Sequence, residues 1–169
     1  VGGDGARSRV RELTAMPFRQ WSYDQSAIVG TVALGTHHLD SCWQAFLDTG
    51  PLALLPLADD RKVAMVWSLD DSAHSAVAEL TDEAFLRALN RALGREAPTA
   101  CQMGPRASFP LRQCHAVDYV EQGLVLVADA AHSIHPLAGQ GINLGLSDVR
   151  VLSEQLIVAR THGFTVAST

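Results

Sequence analysis

A carboxylate, a proline and two glycines lie close together in the last third of the chain. Asp129 follows a short apolar run, and Pro136, Gly139 and Gly141 come after it in a loop. A carboxylate can accept hydrogen bonds from sugar-like hydroxyls, and glycines allow the backbone to approach a flat ring closely. The loop leads into a helical pattern, whose amino terminus offers free N–H groups and a partial positive charge. This combination suits the anchoring of a large polar cofactor.

The elements on each side of this loop are predicted from their apolar patterns. The run Leu124–Ala128 is too short for a typical helix, which indicates a strand buried on both faces in a parallel sheet. Such sheets place ligands at the carboxyl ends of their strands, where Asp129 stands. After Gly141, apolar residues at spacings of three and four predict one face of a helix: Ile142, Leu146, Val149, Leu152 and Leu156.

The segment from Asp129 to Asp148 resembles the second FAD-binding motif of the flavin-dependent aromatic hydroxylases, the family of p-hydroxybenzoate hydroxylase. It is most similar to the ubiquinone-biosynthesis hydroxylases, whose pattern is G-D-A-A-H, two residues, H-P-L-A-G-Q-G, one residue, N-L-G. The resemblance implies that FAD is the cofactor and that these residues bind it: Asp129, Pro136, Gly139, Gln140, Gly141, Ile142 and Asn143.

Ala128 departs from this pattern, which has glycine before the aspartate. Side chains alternate along a strand, so we expect the Ala128 methyl to point away from the ligand that Asp129 faces. Ala128→Gly should then only lower stability, through backbone entropy, and leave FAD affinity nearly unchanged.

A second segment, at residues 2–11, resembles another motif of the same hydroxylases. The family pattern is G-A-D-G-x-x-S-x-V-R, with Gly3 here in place of the alanine. The resemblance implies contact with FAD and with the nicotinamide cofactor, through Asp4 and Gly5 and less directly through Arg7 and Ser8. By itself, the segment predicts only a tight turn followed by a solvated basic face.

Between the two motifs the pattern predicts a sheet and one clear helix. Strands and irregular stretches are expected in this order: 12–25 irregular, Ser26–Leu34 strand, Lys62–Leu69 strand and 95–108 irregular. Leu80–Gly94 is the predicted helix, because Thr81 is a good N-cap and Gly94 a good C-terminal stop.

The predicted fold class is α/β, with part of a Rossmann-like FAD-binding domain and a mixed β-sheet that the resemblance assigns to the substrate domain. The predicted divisions are 1–12, a returning piece of the FAD-binding domain; 13–116, the substrate-domain sheet with one helix; 117–160, the strand, loop and helix of the FAD-binding domain; and 161–169, a frayed tail. A G-x-G-x-x-G turn to cradle the FAD pyrophosphate is absent, which indicates a fragment of a longer enzyme.

The resemblance implies an FAD-dependent monooxygenase that hydroxylates a phenolic ring with NAD(P)H and O2, in ubiquinone biosynthesis. A polyprenylated phenolic substrate leaves open peripheral membrane contact or a multi-enzyme complex for the parent protein. The cofactor performs the chemistry, so no side chain is assigned a catalytic acid or base role. His135 lies near the flavin by its motif position, where it either orients the loop or moves protons.

Two alternatives remain open from the residues. Asp129, His132 and His135 have D-x-x-H-x-x-H spacing and could hold the metal of a hydrolase. The sequence offers no further ligand cluster for such a site, and a metal does not explain the Gly/Pro loop. A non-catalytic remnant or interaction module of the same fold is the second alternative, favoured by the missing pyrophosphate turn.

The composition limits the class of protein. Of 169 residues, 47% are apolar and 18% are charged, which is typical of a globular domain. The net charge of -5, without a run of Lys or Arg, argues against a nucleic-acid partner. Three widely spaced cysteines are typical of a reducing compartment. The expected location is cytoplasmic, with a membrane-peripheral position left open.

Overall fold

The structure is a computed structural model that describes residues 1–137 and 139–164. The chain divides into two compact units: unit 1 contains residues 1–23 and the chain from residue 112 onward, and unit 2 contains residues 24–111. The assignment of these parts to an FAD-binding domain and a substrate domain stays a prediction. Ala138 of the motif loop and residues 165–169 of the predicted tail lie outside the described residues.

The helices and strands follow one another in this order: α1 (Arg9–Thr14), β1 (Phe18–Leu34), β2 (Trp43–Leu47), β3 (Gly50–Pro56), β4 (Lys62–Asp70), α2 (Asp71–Ala78), α3 (Asp82–Leu93), β5 (Ala100–Ala116), β6 (Val120–Glu121), β7 (Leu124–Val125), a 3-10 turn (Ala128–Ala130), β8 (His132–Ser133) and α4 (Gln140–Thr161). One sheet has the strand order β2-β3-β4-β1-β5-β8, and β6 and β7 form a separate ribbon. The predicted α/β fold class is confirmed.

In unit 2, one face of the sheet is buried against helix α3. Ile28 of β1 lies opposite Trp67 of β4, and Trp67 lies opposite Leu52 of β3 in the antiparallel register. Because side chains alternate along a strand, these three belong to the same face. Phe85 and Leu89 of α3 are fully buried against it, and the Phe85 ring meets Trp67 edge to face at 5.7 Å between centroids. This is the main apolar core of unit 2.

Helix α3 confirms the predicted helix and both of its ends, but the prediction of a single helix in residues 13–116 is wrong, because α2 precedes α3. The Thr81 side chain accepts a hydrogen bond from the N–H of Ala84, as an N-cap residue should. Gly94 follows the last helical residue with φ of 79°, a conformation that glycine adopts without strain.

Two stretches predicted to be irregular are strand instead. β1 begins at Phe18, within the stretch 12–25, and β5 begins at Ala100, within the stretch 95–108. Both predictions are wrong because strands β1 and β5 pair with segments that are distant in the chain. Pairing of this kind overrides local strand propensity, which Gly104 and two prolines weaken in β5.

The predicted strand Leu124–Ala128 is wrong in length and wrong in its placement within a parallel sheet. Only Leu124 and Val125 are strand, paired antiparallel with β6, and Leu126 forms a single parallel bridge with Gly2. The chain leaves the extended conformation at Ala128, whose φ is +53°. Since extended backbone requires negative φ for a residue with a side chain, the strand cannot continue through this position.

Helix α4 begins at Gln140, slightly earlier than the predicted start after Gly141, and includes Thr161, the first residue of the predicted tail. Its predicted apolar face is largely uncovered within the described residues, with Ile142 71% and Leu146 63% exposed. Toward its carboxyl end, α4 lines an apolar cavity of about 670 Å³ together with β6 and β7. None of the predicted cofactor-binding residues lines this cavity. Among the described helices, none combines the length and the apolar character needed to cross a membrane.

Candidate cofactor-binding site

Hydrogen bonds fix the backbone of the turn that carries Asp129. The Ala128 carbonyl accepts from the N–H of Ala131 at 2.8 Å, and the Asp129 carbonyl accepts from the Ser133 hydroxyl at 3.3 Å. The Ala131 carbonyl accepts from the N–H of Ala116 on β5 at 2.7 Å. A turn bonded at successive carbonyls has little freedom to move, so the position of residue 129 is well defined.

Arg11 connects this turn to the first motif. Its guanidinium donates to the carbonyls of Ala130 and Ala6, at 2.7 and 2.8 Å. The residue is only 6% exposed, and its guanidinium carbon lies 4.6 Å from the centroid of the Phe18 ring. The predicted solvated basic face is therefore wrong for Arg11, because its planar, forked side chain is used to bond two carbonyls at once.

A second connection runs from helix α4 to the same turn. Oδ2 of Asp148 accepts hydrogen bonds from the N–H of Ala128 at 2.8 Å and from Nε2 of His132 at 2.6 Å. The side chains of His132 and Asp148 are 3% and 19% exposed. Charge-assisted hydrogen bonds shielded from water are among the stronger ones in proteins. One carboxylate thus bonds to both ends of the segment 128–132.

Two aromatic side chains, the exposed His115 and the half-buried Tyr119, lie beside the buried His132–Asp148 pair. Nδ1 of His115 lies 2.7 Å from the Ala116 carbonyl, so it must donate, and in a neutral ring Nε2 is left as an acceptor. The Tyr119 hydroxyl lies 3.0 Å from that Nε2, and the Tyr119 ring packs 5.6 Å from the ring of His132. Burial, and next the charge of Asp148, raises the pKa of Tyr119. The phenol therefore stays protonated and can donate to His115.

The carboxylate of Asp129, unlike the backbone and the side chains around it, takes no part in these hydrogen bonds. The residue is exposed, and its side chain makes no hydrogen bond or ion pair within residues 1–137 and 139–164. Its backbone, in contrast, is held by the bonds described above. A free carboxylate on a fixed backbone is a preorganised acceptor, which loses little entropy when it binds hydroxyl groups.

The other predicted residues of the second motif lie before and within the first turn of α4. Gly139 is the N-cap with φ of 67°, and no side chain among the described residues caps the helix. The N–H of Gln140 donates to the Leu137 carbonyl at 3.0 Å, and that of Asn143 to the Gly139 carbonyl at 3.4 Å. Pro136, Gly139, Gln140, Ile142 and Asn143 are exposed and Gly141 is half-buried. An uncapped amino terminus favours an anionic or electron-rich group in front of it.

Asp4 and Gly5 lie on the loop before α1. The Asp4 carboxylate accepts from the Ser8 hydroxyl at 2.6 Å and from the N–H of Arg9 at 2.8 Å. The Ser8 hydrogen bond, above all, holds the pKa of Asp4 below its usual value. Asp4 therefore bonds the first N–H group of α1, whose N-cap residue is Ser8, and Gly5 has φ of +88°. Cofactor contact at Asp4 and Gly5, and less directly at the exposed Arg7 and the fully buried Ser8, stays a prediction.

His135 lies beside Tyr23, with 5.1 Å between ring centroids and nearly perpendicular planes. The Tyr23 hydroxyl donates to Oε1 of Gln113 at 2.5 Å. Partial burial lowers the pKa of His135, so its imidazole is neutral at neutral pH. Within the part of the chain that the structure describes, no group of three or more His, Cys, Asp or Glu is placed to hold a metal ion. The spacing of Asp129, His132 and His135 is therefore not accompanied by a metal-binding geometry there.

The amino-acid sequence that contains these residues matches a known protein family. Residues 1–163 match the family described as FAD binding domain. The chain belongs to this family. The predicted FAD cofactor is consistent with that membership, and the exposed Asp129 carboxylate and the uncapped terminus of α4 lie within the matched range.

Curated relatives include several ubiquinone hydroxylases. The chain is 40% identical over 173 residues to 3-demethoxyubiquinol 3-hydroxylase from Escherichia coli (strain K12), a match that covers 99% of this chain and 42% of that protein. It is 34% identical to the human mitochondrial ubiquinone biosynthesis monooxygenase COQ6, covering 99% of this chain and 43% of that one. The predicted relationship to ubiquinone-biosynthesis hydroxylases is confirmed. The chain spans less than half the length of these relatives.

Solved structures of flavin enzymes share the fold. PqsL, a probable FAD-dependent monooxygenase from Pseudomonas aeruginosa, matches with a TM-score of 0.80 and 24% identity, over 98% of this chain and 47% of PqsL. The p-nitrophenol 4-monooxygenase PnpA from Pseudomonas putida matches with a TM-score of 0.69 and 20% identity, over 96% and 41%. At these identities the likeness concerns the fold alone.

Three residues that hold the site together have no such role in the sequence-based prediction: Arg11, His132 and Asp148. A signal for two of them was present, because Arg11 ends the first motif and Asp148 ends the second. His132 was considered only as a metal ligand, whereas its Nε2 is bonded to Asp148.

Proposed function

We propose that this chain forms the ribityl- and ring-binding part of an FAD-dependent monooxygenase that hydroxylates a phenolic ring with NAD(P)H and O2. The observation that carries the proposal is the free Asp129 carboxylate on a turn fixed by Arg11 and Asp148. The names of the relatives support a phenolic substrate of the ubiquinone pathway. Bound FAD would supply the oxidation chemistry, and the residues of this chain would bind and orient it.

The residues present fit FAD in three respects. Asp129 can accept hydrogen bonds from a chain of hydroxyls, which the ribityl group provides. The uncapped terminus of α4 suits the electron-rich edge of the flavin ring. A Cβ added at Gly139 would meet nothing within 4 Å, and one at Gly141 would meet only Ile134 at 4.0 Å. The backbone is therefore open to the approach of a flat ring.

Other parts of the proposal rest on the relationship with the ubiquinone hydroxylases. They are contact of Asp4 and Gly5 with FAD or the nicotinamide cofactor, a polyprenyl tail on the substrate, and peripheral contact with a membrane or a multi-enzyme complex. His135 is neutral beside Tyr23, which suits a residue that orients the motif loop. No side chain of this chain is given a proton-transfer step.

The first test compares FAD binding by residues 1–169 with binding by the protein expressed from its complete coding sequence, called the complete protein below. Both are purified with added FAD, and the visible spectrum is recorded after gel filtration. We expect one flavin per complete protein and little or none on residues 1–169, because affinity depends on assembling all the contacts, including a pyrophosphate cradle. A complete protein without flavin would contradict the proposed function and favour a non-catalytic remnant.

The second test compares Asp129→Ala with Asn143→Ala in the complete protein. Asp129→Ala should weaken FAD binding more, because it removes charge-assisted hydrogen bonds worth about 1.5–3 kcal/mol, or roughly a 10- to 150-fold change in Kd. The backbone N–H of Asn143, bonded to Gly139, remains in the alanine variant. Equal dissociation constants for the two variants would refute the assignment of Asp129.

A further inference from the structure

His132 and Asp148 form a buried pair directly behind the Asp129 turn. We infer that this pair is the positioning element of the FAD site: by bonding both ends of segment 128–132, it sets where the Asp129 carboxylate stands and thereby sets FAD affinity. The inference rests on the proposed function, because it requires FAD to bind at Asp129. It assigns His132 and Asp148 as positioning residues, which act through Asp129 and do not touch the cofactor themselves.

The connection from Asp148 to Asp129 is short. Asp148 bonds the N–H of Ala128, the residue immediately before Asp129. Ala128 has a left-handed backbone conformation, with φ of +53°. An alanine keeps this strained conformation only when its surroundings hold it there, and the direction of the Ala128 N–H depends on that conformation. Loss of the Asp148 bond would free Ala128 to return to a common conformation, which would redirect Asp129.

His132 keeps the Asp148 carboxylate in place. The Nε2 bond at 2.6 Å is the one hydrogen bond of the ring among the described residues, since Nδ1 has no partner there. Without this donor, a largely buried carboxylate would lose a charge-assisted partner and turn toward water. The Ala128 N–H would then lose its acceptor, and the turn would lose its link to α4.

The packing of α4 against the turn makes this link rigid. A Cβ added at Gly145 would lie 2.7 Å from the Ala128 Cβ, so helix and turn are already in close contact at that point. Asp148 lies three residues further along α4, which places Gly145 and Asp148 on neighbouring positions of one helix face. Ala128 is therefore held from α4 by both packing and a hydrogen bond.

The test separates positioning from plain stability with four variants of the complete protein. His132→Phe keeps a ring of similar size and removes the donor, whereas His132→Gln keeps an N–H donor at about the reach of Nε2. His132→Asn carries the same amide on a side chain one methylene shorter, which cannot reach Asp148. His38→Phe is the matched control: His38 is 4% exposed in unit 2, and its Nε2 lies 3.1 Å from the carbonyls of Leu57 and Asp59.

FAD dissociation constants are measured by fluorescence titration, and Tm is measured on FAD-free protein. We expect His132→Phe to raise Kd at least about tenfold, His132→Gln to stay within about threefold of the wild type, and His38→Phe to lower Tm while changing Kd less than about threefold. If His132→Phe does not fold, the comparison of His132→Gln with His132→Asn decides, and Asn should bind FAD about tenfold more weakly than Gln.

Two results would overturn the inference alone: a Kd for His132→Phe that changes no more than that of His38→Phe, or equal Kd values for His132→Gln and His132→Asn, in a wild type that binds FAD. A wild-type complete protein that binds no FAD overturns the proposed function and the inference with it. The wild-type titration therefore distinguishes the two failures before any variant is measured.

Discussion

Replacing Ala128 by glycine should stabilise the protein. With φ of +53°, Ala128 is in the left-handed region, where the Cβ crowds the following carbonyl at a cost of roughly 1–2 kcal/mol. Glycine removes that cost, but its greater freedom in the unfolded state opposes the gain by about 0.4–1 kcal/mol. The half-buried methyl is worth about 0.4 kcal/mol, half of a fully buried methylene. Central values leave a gain of about 0.4 kcal/mol.

This prediction is the opposite of the one for an extended strand, in which replacement of alanine by glycine lowers stability by about 0.5–1 kcal/mol. Gly145 provides a second, sharper test of the same geometry. An alanine Cβ at Gly145 would lie 2.7 Å from the Ala128 Cβ and 3.3 Å from its Cα. In the wild type, overpacking by Gly145→Ala should cost about 2 kcal/mol, the centre of the usual range, and helix propensity should return about 1 kcal/mol, which leaves a net loss of about 1 kcal/mol. In the Ala128→Gly background the closest contact is gone, and Gly145→Ala should become nearly neutral or stabilising.

The assay is urea unfolding of the complete protein with both single variants and the double variant. Ala131→Gly is the matched control, because Ala131 lies in the same turn with φ of −87°, where glycine should be destabilising. A loss of stability in Ala128→Gly as large as that in Ala131→Gly would refute the reasoning. So would additivity of Ala128→Gly and Gly145→Ala, since residues in contact should couple by about 0.5 kcal/mol or more. FAD affinity of Ala128→Gly should change less than about threefold, because the methyl faces α4.

Three further predictions concern the two units separately. Arg11→Met should lower the free energy of unfolding by at least about 2 kcal/mol, because two carbonyls lose their donor. Arg9→Met breaks only an exposed ion pair and should change the free energy of unfolding by less than about 0.5 kcal/mol. Equal losses of the two variants in urea unfolding would contradict this prediction. Thr81→Ala should cost about 1 kcal/mol through loss of the N-cap of α3, and an unchanged Tm would argue against that role. Burial lowers the pKa of His135 below 6.5, so the folded state binds fewer protons than the unfolded state and stability falls as the pH decreases below that value. His135→Gln should flatten the stability curve between about pH 7 and 5, and an unaltered slope would count against the burial of this ring.

Helix-capping residues and a recognisable sequence motif made part of this protein predictable. Helix α3 was predictable because Thr81 and Gly94 act on backbone groups within one turn of themselves. The family was predictable because the segment from Asp129 to Asp148 resembles, in residue types and spacing, the second FAD-binding motif of the flavin-dependent aromatic hydroxylases. In both cases the residues that allow the prediction lie close together in the chain.

Tertiary structure determined the conformation wherever the contacts are between residues distant in the chain, because local sequence patterns carry no information about such contacts. β1 and β5 are strands because distant segments pair with them, although their local patterns predict irregular chain in part. The burial of Arg11 depends on the Ala130 carbonyl, 119 residues away.

The conformation of Ala128 shows the same limit at a single residue. In the sequence, an apolar run is followed by an alanine and an aspartate, and this pattern by itself favours extended backbone up to Asp129. Helix α4 approaches within contact distance and Asp148 bonds the Ala128 N–H, and together these interactions hold φ at +53°. Long-range packing and hydrogen bonding outweighed local preference here, because a strained conformation persists when its surroundings over-determine it.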